Sequence, residues 1–387
     1  MTIKGLKIKK TAIFTLLLIS MTTMMSNVAI VTALPRLQDY FSDIENIEFY
    51  SRLILTLPSL SIALLAPFLG HFVFRFGKKN SALAALFIFA TTGSAGLFLE
   101  HIEAFLLSRA MFGISVATLM IVSTSLVGDY FQGEARHKFM GYQSAFMAIG
   151  GVSFVIGGGI LSDINWRLPF GIYLMGFVLI PIAYLFLIEK RKDELFNLED
   201  EITVPKKLIG IYLLGFFYML IFFILPTQIP FLIIDTFQAS GKVAGFIIGL
   251  AFFANALGAI SFSKLKKRFD FFSIYIIALT IIAIGFIGVG LVNNLKLFFL
   301  TSTILGFGGG VMMTNVTAWM LSRTTFERRV KSSGYMTSFM FLGQFCSPIV
   351  FHPLVSNFGV QTFFEIIGIS LFVIIFLIMF YKLAIKS

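Results

Sequence analysis

Gly70-His-Phe-Val-Phe74-Arg-Phe-Gly-Lys78-Lys79 and Gly258-Ala-Ile-Ser-Phe262-Ser-Lys-Leu-Lys266-Lys267 share their Gly, Phe and Lys-Lys positions at an offset of 188 residues. Each string is a short basic turn set between long apolar stretches. A second ordered match, Gly141-Tyr142, Phe146-Met147 and Gly150 against Gly334-Tyr335, Phe339-Met340 and Gly343, falls at an offset of 193. Short matches are common in apolar sequence, but two in the same order at nearly the same offset read as a parallel duplication.

Outward from these turns the chain resolves into apolar stretches of the length a helix needs to cross hydrocarbon, about 20 residues. They run from Thr11 to Leu34, Tyr50 to Leu69, Ser81 to Leu99, Phe105 to Gly128, Met140 to Leu161, Leu168 to Ile188, Leu208 to Ile229, Val243 to Ser263, Phe271 to Val292, Leu297 to Leu321, Ser333 to Phe351 and Thr362 to Tyr381. Charge supports the count of twelve. Of the 30 Lys and Arg, 24 fall in the two tails and in alternate loops, and the loops of the opposite face keep Arg36, Arg167, Lys242 and Lys296. Basic loops stay in the cytoplasm, so both termini are expected inside a cell (inner) membrane, and the net charge of +11 follows from topology. The fold expected is an all-α membrane protein: an N-terminal six-helix bundle over 1–188, a cytoplasmic linker at 189–207 with both charge signs and Pro205, and a C-terminal bundle over 208–387.

Several classes are excluded on the same ground. The basic residues are scattered over short loops facing an anionic leaflet, which argues against a nucleic-acid partner. The single cysteine, Cys346, lies inside the eleventh stretch, so neither an internal disulfide nor a cysteine metal site is expected. The first stretch is too long for a cleaved signal peptide. His71, His101, His137 and His352 fall at the edges of different stretches without carboxylate pairs, leaving no metal or acid–base constellation of an integral-membrane transferase. No phosphate-cradling Gly-Lys-Ser/Thr loop is present, so neither ATP nor another cofactor is expected.

The pattern resembles the major facilitator superfamily, and within it the twelve-span drug:proton antiporter branch, over nearly the whole chain. Gly70, Phe72, Arg75, Gly77, Lys78 and Lys79 fit the family's loop signature after its second helix, with Phe74 where the family has an Asp that helps latch the halves. Asp129 matches a further family position and would pair with Arg75. Arg109 and Gly113 resemble the fourth-helix motif, with Phe112 in place of its Gln. The Gly-Pro string of the antiporter branch is absent from the fifth stretch, where Phe154 and Val155 stand, and Ser347-Pro348 provides it 193 residues later. Trp166-Arg167 also fits and would anchor the interface.

The resemblance implies that helices 1, 4, 7 and 10 line a central cavity. Their polar residues are Asn27, Arg109, Ser115, Tyr218, Gln228, Asn315, Thr317 and Trp319, while Asn255 and Gln344 are read as structural. Arg109 is the sharpest candidate, because a guanidinium inside a span is costly unless it meets a wet cavity or a partner; the alternative is snorkelling to the headgroups. Glu365 is the one carboxylate read within a span, which argues against lipophilic cations as cargo. The function expected is secondary active transport of a small amphipathic molecule by alternating access, as a proton-coupled exporter, with Gly70, Arg75, Gly77, Lys78 and Asp129 forming a cytoplasmic gate. A permease or exporter of an anionic metabolite or carboxylate siderophore is the alternative. The fold needs no partner, so a monomer is expected.

Overall fold

The computed structural model describes residues 2–3, 6–7, 9–131, 133–189, 208–324 and 329–384. Most of the expected linker, 190–207, lies outside the described residues. Among the described residues, twelve helices are long and apolar enough to cross a membrane. They are span 1 (Lys10–Tyr40), span 2 (Ile47–Phe76), span 3 (Lys78–Leu97), span 4 (Ile102–Tyr130), span 5 (Gly133–Ile164), span 6 (Leu168–Phe186), span 7 (Ile209–Thr236), span 8 (Gly241–Lys266), span 9 (Phe271–Leu291), span 10 (Leu295–Ser322), span 11 (Ser332–Phe358) and span 12 (Val360–Phe380). The all-α membrane fold is as expected; the tail carries one short antiparallel pair, Thr2–Ile3 with Leu6–Lys7.

Spans 1 and 7 are among those that run further than their apolar stretches, and both are broken helices. In span 1 the helix Lys10–Val28 gives way to a 3-10 turn at Val31–Ala33, and Pro35 then sits in the first turn of a new helix, Leu34–Tyr40. Proline's fixed φ suits a helix start, so the chain continues instead of turning back. Span 7 breaks at Phe223, carries Pro226 and Pro230, and ends in a π-helical turn, Leu232–Thr236. The extensions bring Asp39 and Asp235 into helices. Together with Glu48, Glu103, Asp129 and Asp163 in helix-end turns, they correct the reading of Glu365 as the only carboxylate within a span. Between spans 2 and 3 there is almost no loop: Gly77, at φ +91°, turns the chain alone, in a region of backbone space that glycine enters without strain.

Each set of six packs on itself, and span 10 makes the most extensive contacts, against span 8 on one side and span 9 on the other. A Cβ on Gly306 would collide with the Ala251 carbonyl, and one on Gly310 with the Asn255 carbonyl. Small residues let the helix backbones touch where lipid supplies no hydrophobic drive. Phe68, Phe376 and Phe380 lie on the outer surface, more than 60% exposed, as lipid-facing residues do. Span 5 meets span 8 and span 2 meets span 11, and these two seams join the first six spans to the last six.

Candidate functional site

Both seams are closed at the end of the bundle away from the basic loops, here the far end. On span 5, Gly159 lies against the Gly241 carbonyl of span 8, and a Cβ on Gly245 would sit 2.7 Å from the Val155 carbonyl. Asp163, closing span 5, accepts hydrogen bonds from the Gly241 N–H at 2.7 Å and the Lys242 N–H at 2.8 Å. Arg36 pairs with the same carboxylate at 3.1 Å and also donates to the Ser162 carbonyl. Across the molecule Arg52 of span 2 is 2% exposed. Its Nε donates to the Gln228 Oε1 of span 7 at 3.1 Å, its Nη1 donates to the Glu48 carbonyl at 2.6 Å, and its guanidinium lies 4.4 Å from the Phe231 ring centroid. Asp235, in the last turn of span 7, is within electrostatic reach of Arg52 and Asp39. The rings of Phe49 and His352 meet at 5.7 Å, tying span 2 to span 11.

Toward the basic end the same helix faces are bare. The face of span 5 that carries Val155, Gly159 and Ser162 continues at helical spacing through Ala148, Ser144 and Gly141, of which Ser144 and Gly141 are exposed. On span 8 the face of Gly241, Gly245 and Gly249 continues through Phe252, Ala256 and Ser263, the first two half-buried and the last exposed. A Cβ on Gly141 or Gly334 would meet nothing within 4 Å. The space between the two sets of helices therefore opens at the basic end.

The expected pathway residues do not form one group. Gln228 belongs to the far-end closure. Tyr218 is buried beside Asn255, its ring stacked on Phe222 with centroids 5.5 Å apart. Asn315 is fully buried and donates to the Phe271 carbonyl at 3.0 Å, joining span 10 to span 9. Trp319 stacks on Phe271, and the Ser115 and Thr317 hydroxyls return to carbonyls of their own helices. The side chain of Asn27 lies outside the described residues.

Arg109 has no exposed surface. It points into the first six spans: its Nη2 donates to the Thr92 and Gly93 carbonyls of span 3 at 2.9 and 2.8 Å, and its guanidinium lies 4.8, 5.3 and 5.4 Å from the rings of Phe112, Phe170 and Tyr173. Neither snorkelling nor cavity contact describes this position. The aromatic faces and the two carbonyls partner the guanidinium plane and Nη2, while Nε and Nη1 are buried without a hydrogen-bond partner.

At the basic end it is Lys78, not Arg75, that reaches Asp129, in a 2.6 Å ion pair. The Glu189 carboxylate accepts from the backbone N–H groups of Lys78 and Lys79 and so caps span 3. Arg75 is exposed, and a Cβ on Gly70 would have open space around it. Gly77, Lys78, Asp129 and Glu189 make a cluster wholly within the first six spans and their end. Among the described residues no group of three His, Cys, Asp or Glu is placed to hold a metal ion.

Arg52 and Asp163 are absent from the sequence-based candidates. Arg52 lies two residues inside the second apolar stretch, and the reasoning that singled out Arg109 applies to it equally. Asp163 reads as loop because its stretch was closed at Leu161.

The sequence model of the Major Facilitator Superfamily matches residues 16–227 and again 211–386. Multidrug resistance protein 2 of Bacillus subtilis (strain 168) is 34% identical over 115 residues, 29% of this chain and 28% of that protein. The class B tetracycline resistance protein of Escherichia coli is 26% identical over 184 residues, 48% of this chain and 46% of its own length. These matches thus span less than half of either relative. Among solved structures, a bacterial homologue of the human lysosomal transporter Spinster, inward-facing and unoccupied, superposes with a TM-score of 0.74 at 17% identity, over 90% of this chain and 82% of that one. A D-xylose–proton symporter superposes with a TM-score of 0.68 at 12% identity, over 93% and 95%. With the fold shared along nearly its full length and the family pattern matched in both halves, this chain belongs to the Major Facilitator Superfamily of membrane transporters.

Proposed function

We propose that the protein is a proton-coupled exporter of small amphipathic molecules, working by alternating access between the halves 1–188 and 208–387 as a monomer in the cell membrane. The basic loops and both termini then face the cytoplasm. The observation that carries this reading is the seam between the halves, packed backbone to backbone at the far end and bare at the basic end. It leaves the space between the halves reachable from the cytoplasm, the side from which an exporter loads. The printed names of the relatives, multidrug and tetracycline resistance proteins, support export.

The place of Arg109 bears on the cargo. A cation walled off between spans 3, 4 and 6 does not meet a substrate in the space between the halves, so it gives no reason to prefer a carboxylate. Amphipathic cargo is accordingly favoured over an anionic metabolite.

Substrate-induced proton movement in proteoliposomes under an imposed pH gradient tests this. Neutral amphipathic compounds are expected to elicit proton flux in the native protein and in Arg109→Met alike. Flux elicited by carboxylates alone and lost in Arg109→Met would overturn the cargo assignment, and a transport rate indifferent to pH would overturn proton coupling.

A further inference from the structure

We propose that Asp163 is the latch of the far-end closure: carried on one half, its carboxylate caps the first turn of span 8 in the other, and this contact sets how long the transporter dwells open to the cytoplasm. The orientation rests on the function proposed above; the latch itself rests on the contacts alone.

A helix begins with four N–H groups that its own ladder cannot satisfy, and its dipole concentrates positive charge there. In span 8 the Ser240 hydroxyl takes the Val243 N–H, and the preceding two N–H groups, of Gly241 and Lys242, go to the two oxygens of Asp163. These are short, charge-assisted bonds, of the stronger kind. They are possible because no side chain separates the backbones at Gly159 and Gly241. Arg36 orients the carboxylate from the same half as Asp163 and so travels with it. Opening the far end must therefore break both N–H bonds at once, while the Arg36 pair survives the motion.

Two features set this contact apart. The residue 193 positions on from Asp163 is Ser356, at the end of span 11 on the opposite seam, and its hydroxyl turns back to the Pro353 carbonyl of its own helix. The carboxylate latch is thus confined to one of two pseudo-equivalent seams. At the basic end, the position where the family signature has a latching Asp holds Phe74. The charged contact between the halves has moved to the far end, which weights the molecule toward the state described here.

The test places spin labels at Asp43→Cys and Asn357→Cys, exposed far-end positions on the two halves, in a Cys346→Ala background, and reads their distance distribution in lipid nanodiscs without substrate. Asp163→Asn keeps the size and loses the charge. It is expected to raise the ratio of long to short distances about tenfold. Asp163→Glu should restore part of the short population. Arg36→Gln, which leaves the cross-half bonds in place, should shift the ratio less than threefold. Should Asp163→Asn fail to fold, Asp163→Ser gives the neutral variant with a single cap.

An unchanged distribution in the neutral variant would overturn the latch, as would an equal shift in Arg36→Gln. A purely structural tie between spans 1 and 5 would lower the melting temperature of both variants and leave the distances alone, again overturning it. Because no substrate is present, these outcomes are independent of whether any compound drives proton flux.

Discussion

Gly113 and Gly70 belong to the two family-like strings, yet the structure assigns their Cα hydrogens opposite surroundings. A Cβ at Gly113 would lie 2.5 Å from the Pro58 carbonyl and 2.7 Å from both the Pro58 Cα and the Ser61 Cβ of span 2. Ordinary contact begins near 3.4 Å, and the closest of these atoms are backbone and cannot rotate away. Gly113→Ala must therefore part spans 2 and 4 by roughly 0.5–1 Å, an overpacking cost of about 1–3 kcal/mol. Six residues from Pro58, about 9 Å along the same helix, sits Arg52. Its 3.1 Å bond to Gln228 does not survive a shift of that size. At about 2–4 °C per kcal/mol for a unit the size of one half, the melting temperature in detergent should fall by roughly 2–12 °C, with the far end more open to membrane-impermeant thiol reagents. Gly70→Ala meets nothing within 4 Å and replaces a helical glycine. It should instead stabilise by about 0.5–1 kcal/mol. Equal melting temperatures for the two variants would refute the packing argument.

Gln228→Leu removes the acceptor of a buried guanidinium in the far-end-closed state alone. A lost charged hydrogen bond of about 1.5–3 kcal/mol should favour far-end opening by roughly ten- to a hundredfold, read as a larger long-distance population between spin labels at Asp43→Cys and Asn357→Cys; an unchanged distribution would count against the assignment. Arg109→Met exchanges a buried cation for an apolar side chain of similar length, and such exchanges range from neutral to about 1–4 kcal/mol stabilising. The variant is expected to melt no lower than native protein and to keep substrate KM within about twofold, whereas a large rise in KM would return Arg109 to the binding site. Lys78 and Asp129 are partly exposed, so their pair should show a coupling of about 1 kcal/mol or less in a double-mutant cycle on thermal stability, diminishing in high salt. A coupling of zero at low salt would contradict the 2.6 Å contact.

The number of spans, their duplication and the segregation of basic loops were legible because each is written along one dimension, as runs of apolar residues and the charges between them. Helix ends were less so. Apolar windows close at the first polar residue, whereas the helices of spans 1, 5 and 7 continue to Tyr40, Ile164 and Thr236 and carry Asp39, Asp163 and Asp235 with them. Rotation about the helix axis was not legible at all. A buried Arg or Asn in a span needs a partner, but composition does not say on which side. Arg109 found spans 3 and 6, and Asn315 found span 9, rather than the space between the halves. Nor does sequence announce pairs as distant as Arg52 with Gln228, or Asp163 with the start of span 8, which join helices far apart along the chain.

The glycine contacts at the far end have a consequence for how such a protein diversifies. At Gly159, Gly241 and Gly245 the far-end contact is largely main chain against main chain, with Ser162 and Asp163 the side chains that enter it. Residues such as Gly141 and Ser144 lie further along the same face of span 5, exposed and outside that contact. In a transporter of the kind proposed, substitutions at such positions leave the backbone contacts of the far end intact, so the interior of the molecule can change by single steps.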